Sequence, residues 1–387
     1  KLTRPQNTNG QRFFREYTYD DIHHSLITSI KDAFGYQSST DYDSKWCVPT
    51  KQTDINGNEM RYAYDHRGRI TSVTAPYELE SGNTPTISIE YDDKNHIAKT
   101  TNYDAKTKTS VVTYLFTDNL GRAIQTKQSG LVDGTEVMIA SSVVKYDALG
   151  RKVAEGQPVT DKTTTLNTSE ILNPTLTEYD IQDRTIQVTL PDGTTSLASY
   201  TITDGCIKAT QTDANCHVTD SYTDIRGKER KRVQHSETYD VVTEFNYNAI
   251  GELQSVIHPN LKTTTYEYDG LGREVSVNHP DAGLTTFEYD AAGNMTSKQT
   301  PNLRQYNGKI SYTYDYERLS EIIYPKNIYN RVTYTYGDSS ETKYNRVGRL
   351  KLVEDGSGGE AYFYGKLGEV TKTIKTVILA ETNIRTY

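Results

Sequence analysis

The sequence predicts an all-β fold, an antiparallel ribbon of about 15 β-hairpins. Three observations predict it. First, a short box recurs: Tyr268-Asp269-Gly270-Leu271-Gly272-Arg273 returns 21 residues later as Tyr289-Asp290-Ala291-Ala292-Gly293-Asn294. Second, the flanks of the box alternate. Val275 and Val277 share one face of a strand, while Tyr266 and Tyr268 share a face opposite Thr265 and Glu267. Third, 31 Tyr accompany an apolar content of only 34%. Leu, Ile, Val and Phe make up about a fifth of the chain, near the limit for disorder. Tyr and Thr favour strands, and an amphipathic aromatic suits a half-buried sheet.

Taken in order, residues 1–18 read as an entry strand or partial repeat, and residues 19–387 as one continuous array. Tyr-Asp occurs at Tyr19-Asp20, Tyr42-Asp43, Tyr64-Asp65 and Tyr91-Asp92. A degenerate copy at Tyr114 uses Asp118–Arg122 as its turn, and clean copies follow at Tyr146-Asp147 and Tyr179-Asp180. Tyr200 and Tyr222 lose the adjacent Asp; Tyr247-Asn248, Tyr268-Asp269, Tyr289-Asp290 and Tyr314-Asp315 restore the pattern. Tyr344-Asn345 and Tyr364-Gly365 close it. The two longest steps carry insertions, at 130–140 and 158–174, which map to loops in an array.

Within a unit, the candidate structural residues are those of the box: Tyr64, Asp65, Gly68, Arg69; Tyr146, Asp147, Gly150, Arg151; Tyr268, Asp269, Gly272, Arg273; and Tyr289, Asp290, Gly293. Asp starts a type I turn, where its carboxylate accepts local N–H bonds. Gly sits where φ turns positive. Pro-initiated turns at His258-Pro259-Asn260, His279-Pro280-Asp281 and Pro191-Asp192-Gly193 close the opposite rim, giving strands of roughly eight residues. The spacing of Leu26, Ile27, Ile30, Ala33 and Phe34 also fits a helix. The repeat frame instead makes His24–Lys31 a strand, Asp32–Gly35 a turn and Tyr36–Tyr42 the return.

Composition excludes several classes. Net charge is −8 with pI near 5.6 and mixed signs, so neither a nucleic-acid footprint nor a polybasic membrane patch is expected. No apolar run is long enough for a transmembrane helix, and membrane insertion is not expected. Cys47, Cys206 and Cys216 form no CxxC and are read as small half-buried side chains; Cys206 and Cys216 flank a turn off register for a disulfide. His258 and His279 are one repeat apart, but two His are too few for a metal. The recurrent Asp occupy one turn position in many repeats, whereas a catalytic carboxylate pair is singular. No catalytic residue, cofactor or metal ligand is assigned. Tyr ladders could serve as sugar platforms; packing of the sheet is the plainer reading.

YDALGRKV at Tyr146, YDGLGREV at Tyr268 and YDHRGRITSV at Tyr64 resemble the YD repeats of the Rhs family, and the resemblance runs from about Tyr19 to Tyr364. That group includes bacterial Rhs polymorphic toxins, toxin-complex shell components, wall-associated proteins and, more distantly, teneurins. The resemblance implies that the ribbon curls into a partial spiral shell, hollow and enclosing a secreted effector of the same polypeptide, or joined to a partner shell component. It implies a secreted or cell-surface location. The alternative it leaves is a surface adhesin binding glycans. The family's Asp-Pro self-cleavage motif is absent from this sequence, so self-cleavage is not assigned to it. The ribbon suffices for about one turn of such a shell, and the chain is expected to be a segment of something longer.

Overall fold

A computed structural model describes residues 1–386 apart from 83, 142, 168–171, 327, 381 and 382. The strands form two sheets, one of 13 strands from Leu2–Gln6 to Val159–Asp161, the other of 21 from Val144–Tyr146 to Asn383–Thr386. Every strand pair is antiparallel, and neighbours in the sheet are almost always neighbours in sequence. Turns therefore alternate between two rims. The box rim carries the Tyr-Asp turns; the far rim carries the others.

The sheets part inside one hairpin. Thr135–Ala140 pairs back onto Ala123–Val132, after which the chain crosses and Val144–Tyr146 opens the second sheet. Val159–Asp161 then returns to pair with Thr135–Ala140. The insertion at 130–140 is thus strand and turn, not loop. Asp133 (φ 49°) and Gly134 (φ 76°) supply the two positive-φ residues of a tight hairpin, which lengthens the strands in place of bulging out. The insertion at 158–174 falls partly on residues outside those described.

The helical spacing at Leu26–Phe34 does not make a helix. Ile27–Asp32 and Gln37–Asp43 are strands joined by a turn. The first begins at Ile27 and not His24 because the Asp20 carboxylate accepts N–H bonds from Ile22, His23, Ser25 and Leu26, holding a longer loop. Among the described residues helix is confined to Pro76–Ser81 and Pro301–Arg304 on the far rim, each with Pro in its first turn, plus two short 3-10 stretches. Most strands run five to seven residues, shorter than the repeat spacing suggests, because each box turn takes five residues and ends in a β-bulge.

Two further expectations change. The box before Tyr364-Gly365 is Tyr336-Gly337, not Tyr344-Asn345. Gly337 N–H donates to Arg349 O and Gly348 N–H to Gly337 O, both at 2.9 Å, so the turn spans an insert whose 3-10 stretch, Ser339–Tyr344, holds Tyr344. Cys47 and Cys216 are exposed, at the positive-φ position of their turns, and only Cys206 is half-buried; all three are free thiols.

Candidate functional site, the repeat box and the seam between spiral turns

The box turn is built by its Asp. At Asp147, Oδ1 accepts the N–H groups of Leu149 and Arg151, each at 2.9 Å, and Oδ2 accepts Arg151 Nε–H at 2.7 Å. Asp269 repeats this with Leu271 and Arg273, and Asp65 with Arg67 and Arg69. Gly68, Gly150, Gly272 and Gly293 take φ of 78°, 85°, 78° and 93°, closing a type I turn with a G1 bulge. The carboxylates are acidified accordingly. The Arg273 guanidinium and amide hold Asp269 below the ordinary carboxylate range; at Asp147 the Arg151 amide leads, against some desolvation. Burial opposes the same bonds at Asp65, yet they hold it at about 2.

The box also reaches forward. Arg69 lies 4.1 Å from the ring centre of Tyr91, whose hydroxyl donates to Ile70 O at 2.9 Å. Arg151 covers Tyr179 at 4.9 Å, and Tyr179 donates to Lys152 O at 2.8 Å. Arg273 covers Tyr289 at 4.9 Å, and Tyr289 donates to Glu274 O at 2.9 Å. Arg122 and Tyr146 make the same contact across the parting of the two sheets. Each Arg thus pins its own Asp and stacks on the next Tyr, which ties its hydroxyl to the carbonyl after that Arg. Where the series has Asn294 in place of Arg, Nδ2 donates to Asp290 Oδ2 at 2.9 Å and Tyr314 still donates to Met295 O at 2.8 Å. Tyr64 donates to Pro49 O at 2.7 Å. Burial raises the phenols of Tyr64, Tyr268 and Tyr289 above their ordinary value. The spacing revealed the Tyr, Asp, Gly and Arg of the box; it did not reveal that Arg belongs equally to the following repeat.

A second constellation was not foreseen. Far-rim turns at the start of the chain sit on box-rim turns some 290 to 310 residues later. Asn7 Nδ2–H donates to Tyr316 O at 3.0 Å, and Tyr316 N–H to Gln11 Oε1 at 2.8 Å. Phe34 packs edge-on against Tyr316 at 4.8 Å with Arg318 stacked over it at 3.5 Å. Tyr36 hydroxyl donates to Gly337 O at 3.1 Å. Asn56 Oδ1 accepts Val347 N–H at 2.9 Å, and Asn58 bonds Asn345 at 2.9 Å. Tyr77 donates to Glu369 at 2.5 Å and accepts Lys366 N–H at 3.0 Å, while Lys366 pairs with Glu80. Asn7, Asn56, Arg346 and Val347 are buried here. The ribbon therefore closes on itself as a spiral with one turn per roughly 300 residues. The signal present in the sequence was Asn7-Thr8-Asn9-Gly10-Gln11 beside Asp54-Ile55-Asn56-Gly57-Asn58, turns with an extra amide at the tip.

Other readings find less. The His258 and His279 rings lie 6.0 Å apart, tilted by 57°, beside the Lys262–Asp281 ion pair. Among the described residues no group of three or more His, Cys, Asp or Glu could hold a metal ion, and no helix is long and apolar enough to cross a membrane.

Comparison with known proteins agrees with this geometry. Residues 247–284 match the family model described as RHS Repeat. The crystal structure of TcdB2-TccC3 superposes with a TM-score of 0.77 at 17% identity, over 96% of this chain and 22% of that one. The Photorhabdus luminescens Tc holotoxin pore gives 0.77 at 15% identity, over 96% and 24%. TcdB2-TccC3 without its hypervariable C-terminal region gives 0.75 at 15%, over 97% and 24%. The chain thus spans about a quarter of the length of the solved structures it matches, and shares their fold. No curated protein matches it by sequence. The resemblance to the YD-repeat proteins of the Rhs family therefore holds in both the repeat and the fold.

Proposed function

We propose that this chain is a wall segment of a YD-repeat shell, part of a longer secreted polypeptide or of a complex with a partner shell component, and that the shell encloses an effector until release. The observation that carries the reading is surface. The chain exposes 23859 Å². A compact monomer of 43.7 kDa would expose about 15,400 Å², so roughly 8,500 Å² is surplus. A ribbon that closes on itself yet keeps that surplus has two accessible faces, as a wall has. From the strand holding Phe13 to the one holding Tyr314 is about 26 strand steps, a perimeter of roughly 125 Å and a width near 40 Å if circular. That is comparable to a domain of roughly 100 residues, whose radius of gyration is about 13 Å.

Confinement is mechanical on this reading. The wall supplies no chemistry; its box residues are engaged in holding turns and neighbouring repeats. Tyr91, Tyr146, Tyr179 and Tyr289 are each covered by Arg and bonded through their hydroxyls, which leaves these box rings poorly placed as sugar platforms. The test is limited proteolysis of the natural full-length protein. An enclosed domain should resist cleavage, and a triple variant at the seam (Asn56→Ala, Asn58→Ala, Tyr77→Phe) should speed its cleavage while the wall stays folded. Cleavage of that domain at the rate seen when it is made alone would overturn the proposal.

A further inference from the structure

The ladder is unbroken through the 13 strands of the first sheet and the 21 of the second, but no ladder joins the two sheets among the described residues. Where they part, Tyr146 hydroxyl donates to Ala123 O at 2.9 Å and Arg122 covers the Tyr146 ring at 4.5 Å. On the crossing chain, Ser141 N–H donates to Thr126 O at 2.8 Å. The seam joins the same two sheets a second time, since turns of the first dock on turns of the second. A ring held at two joints opens at one by bending at the other. Bending within a sheet strains ladder bonds, whereas the parting has none to strain.

Val159–Asp161 bridges that parting. Its neighbours in sequence, Lys152–Glu155 and Thr175–Tyr179, belong to the second sheet, yet it pairs with Met138, Ile139 and Ala140 of the first. Lys127, which is 0% exposed, holds it there. The Lys127 ammonium donates to Asp161 Oδ2, to Thr163 O at 3.3 Å and to Thr163 Oγ1 at 3.2 Å. Ala140 is the cross-strand partner of both Lys127 and Val159, and its small side chain leaves the lysine stem room to reach Asp161. Lys127, then the Thr163 amide at 2.9 Å, hold Asp161 at about 2, so the pair stays charged. Beside it, buried Gln125 accepts Asn167 N–H at 2.9 Å through Oε1. A buried ion pair adds little net stability, but removing one member strands the other's charge away from water. Its use is to fix one pairing over others.

We propose that the parting between the sheets is the hinge of the ring, and that Val159–Asp161, keyed by buried Lys127, is the clasp that locks it. With the clasp seated, the second sheet is tied to the edge of the first and the ring cannot flex there, so the seam stays shut. With the clasp released, the two sheets swing on the chain around Ser141 while every ladder within them survives. The proposal extends the shell reading, but it rests on the closure of the ring. Its experiment reads exchange and not enclosure, so either can fail alone.

The test is hydrogen exchange of the natural full-length protein, read by mass spectrometry. Asp161→Ala leaves the Lys127 ammonium without its counter-charge, and the clasp should lift to let water reach it. The amides of Val159 and Thr160 should then exchange faster. The seam amides of Tyr316, Val347 and Lys366, whose bonds run to Gln11, Asn56 and Tyr77, should also quicken, by about fivefold or more. Adding Lys127→Met removes the stranded charge and should bring both sets back towards wild type, which a mere loss of packing would not do. Thr163→Val, a milder change at an exposed residue, should act as Asp161→Ala does and less strongly. Exchange in Cys206–Thr212 should stay as in wild type throughout. Seam amides unchanged in Asp161→Ala, or still fast once Lys127→Met is added, overturn the proposal. So does exchange that quickens everywhere, Cys206–Thr212 included, since the parting would then be no separate joint.

Discussion

Asn56→Ala tests the seam at its most buried point. Asn56 is 8% exposed and Val347 2%. Asn56 Oδ1 accepts Val347 N–H at 2.9 Å, while the return bond from Nδ2 to Val347 O, at 3.5 Å, is at the limit of useful length. The Asn56 backbone N–H is held by Asp54 Oδ1 at 2.9 Å and would survive the change, so the turn itself should persist. Alanine leaves one buried N–H without its partner, a cost of about 1–3 kcal/mol, the lower end applying if water enters the space left by the amide. In native-state hydrogen exchange that cost is about 5- to 150-fold faster exchange at Val347. The neighbouring seam amides at Tyr316 and Lys366, held by Gln11 and Tyr77, should quicken less, and strands far from the seam such as Cys206–Thr212 not at all. Unchanged exchange at Val347 in a folded variant would refute the closure of the spiral. Uniformly faster exchange along the chain would show that the seam and the ribbon are one cooperative unit, contrary to the reasoning.

Further outcomes follow from the box. Gly150→Val and Gly272→Val place a β-branched residue at φ 85° and 78° and should each lower stability by more than about 1 kcal/mol in urea unfolding. Tyr289→Phe keeps the ring beneath Arg273 and removes only the hydroxyl bond to Glu274 O, so a loss of about 1 kcal/mol is expected by the same measurement, and Tyr314→Phe should match it through Met295 O. The cluster of His235, Asp220, Asp240, Lys208 and Thr210 makes stability depend on pH. The bonds to Asp220 and then Asp240 raise His235, so its contribution is full below the ordinary value of 6.5 and fades as pH rises through the folded value. Asp220 is desolvated, yet Thr210, Lys208 and His235 bring it down to about 2; its contribution is full above 3.8 and is lost as pH falls towards 2. The urea midpoint should therefore be highest between about pH 4 and 6.5, and His235→Gln should flatten its upper limb.

The fold was legible because it is written locally. Most box hairpins are specified by their own Asp-initiated turn and period-2 flanks, and copies in series pair neighbour with neighbour. The misreadings share one cause, the use of letters where bonding decides. Tyr344-Asn345 looks like a box, but the bonds from Gly337 and Gly348 select Tyr336. GLVDGTEVMIA looks like a loop, but two positive-φ residues in the middle make a hairpin. The seam could not be read in this way, since it joins residues about 300 apart and depends on the curvature summed over every intervening strand. Its residues, Asn7, Asn56, Tyr77 and Val347, are ordinary turn residues until the ribbon returns to meet them.

The coupling between repeats explains how so thin a structure stands. Only seven apolar residues are buried among those described, Phe116 the largest. An isolated hairpin is marginal, so each must draw stability from its neighbours, and the total is close to a sum of nearest-neighbour terms. Within the ribbon those terms are backbone ladders, reinforced by the Arg–Tyr contact of boxes such as those of Arg69, Arg151 and Arg273, and cutting them exposes unpaired strand edges. Across the seam they are side-chain bonds, two ring contacts and a few ion pairs, with no ladder beyond the box turn itself. The two sets of contacts can therefore fail separately. A ribbon that parts along its seam keeps its strands paired, so on the proposed shell reading it can open without unfolding. Opening at the seam is then a matter of a few side chains, whereas rupture through a hairpin would cost the ladder as well.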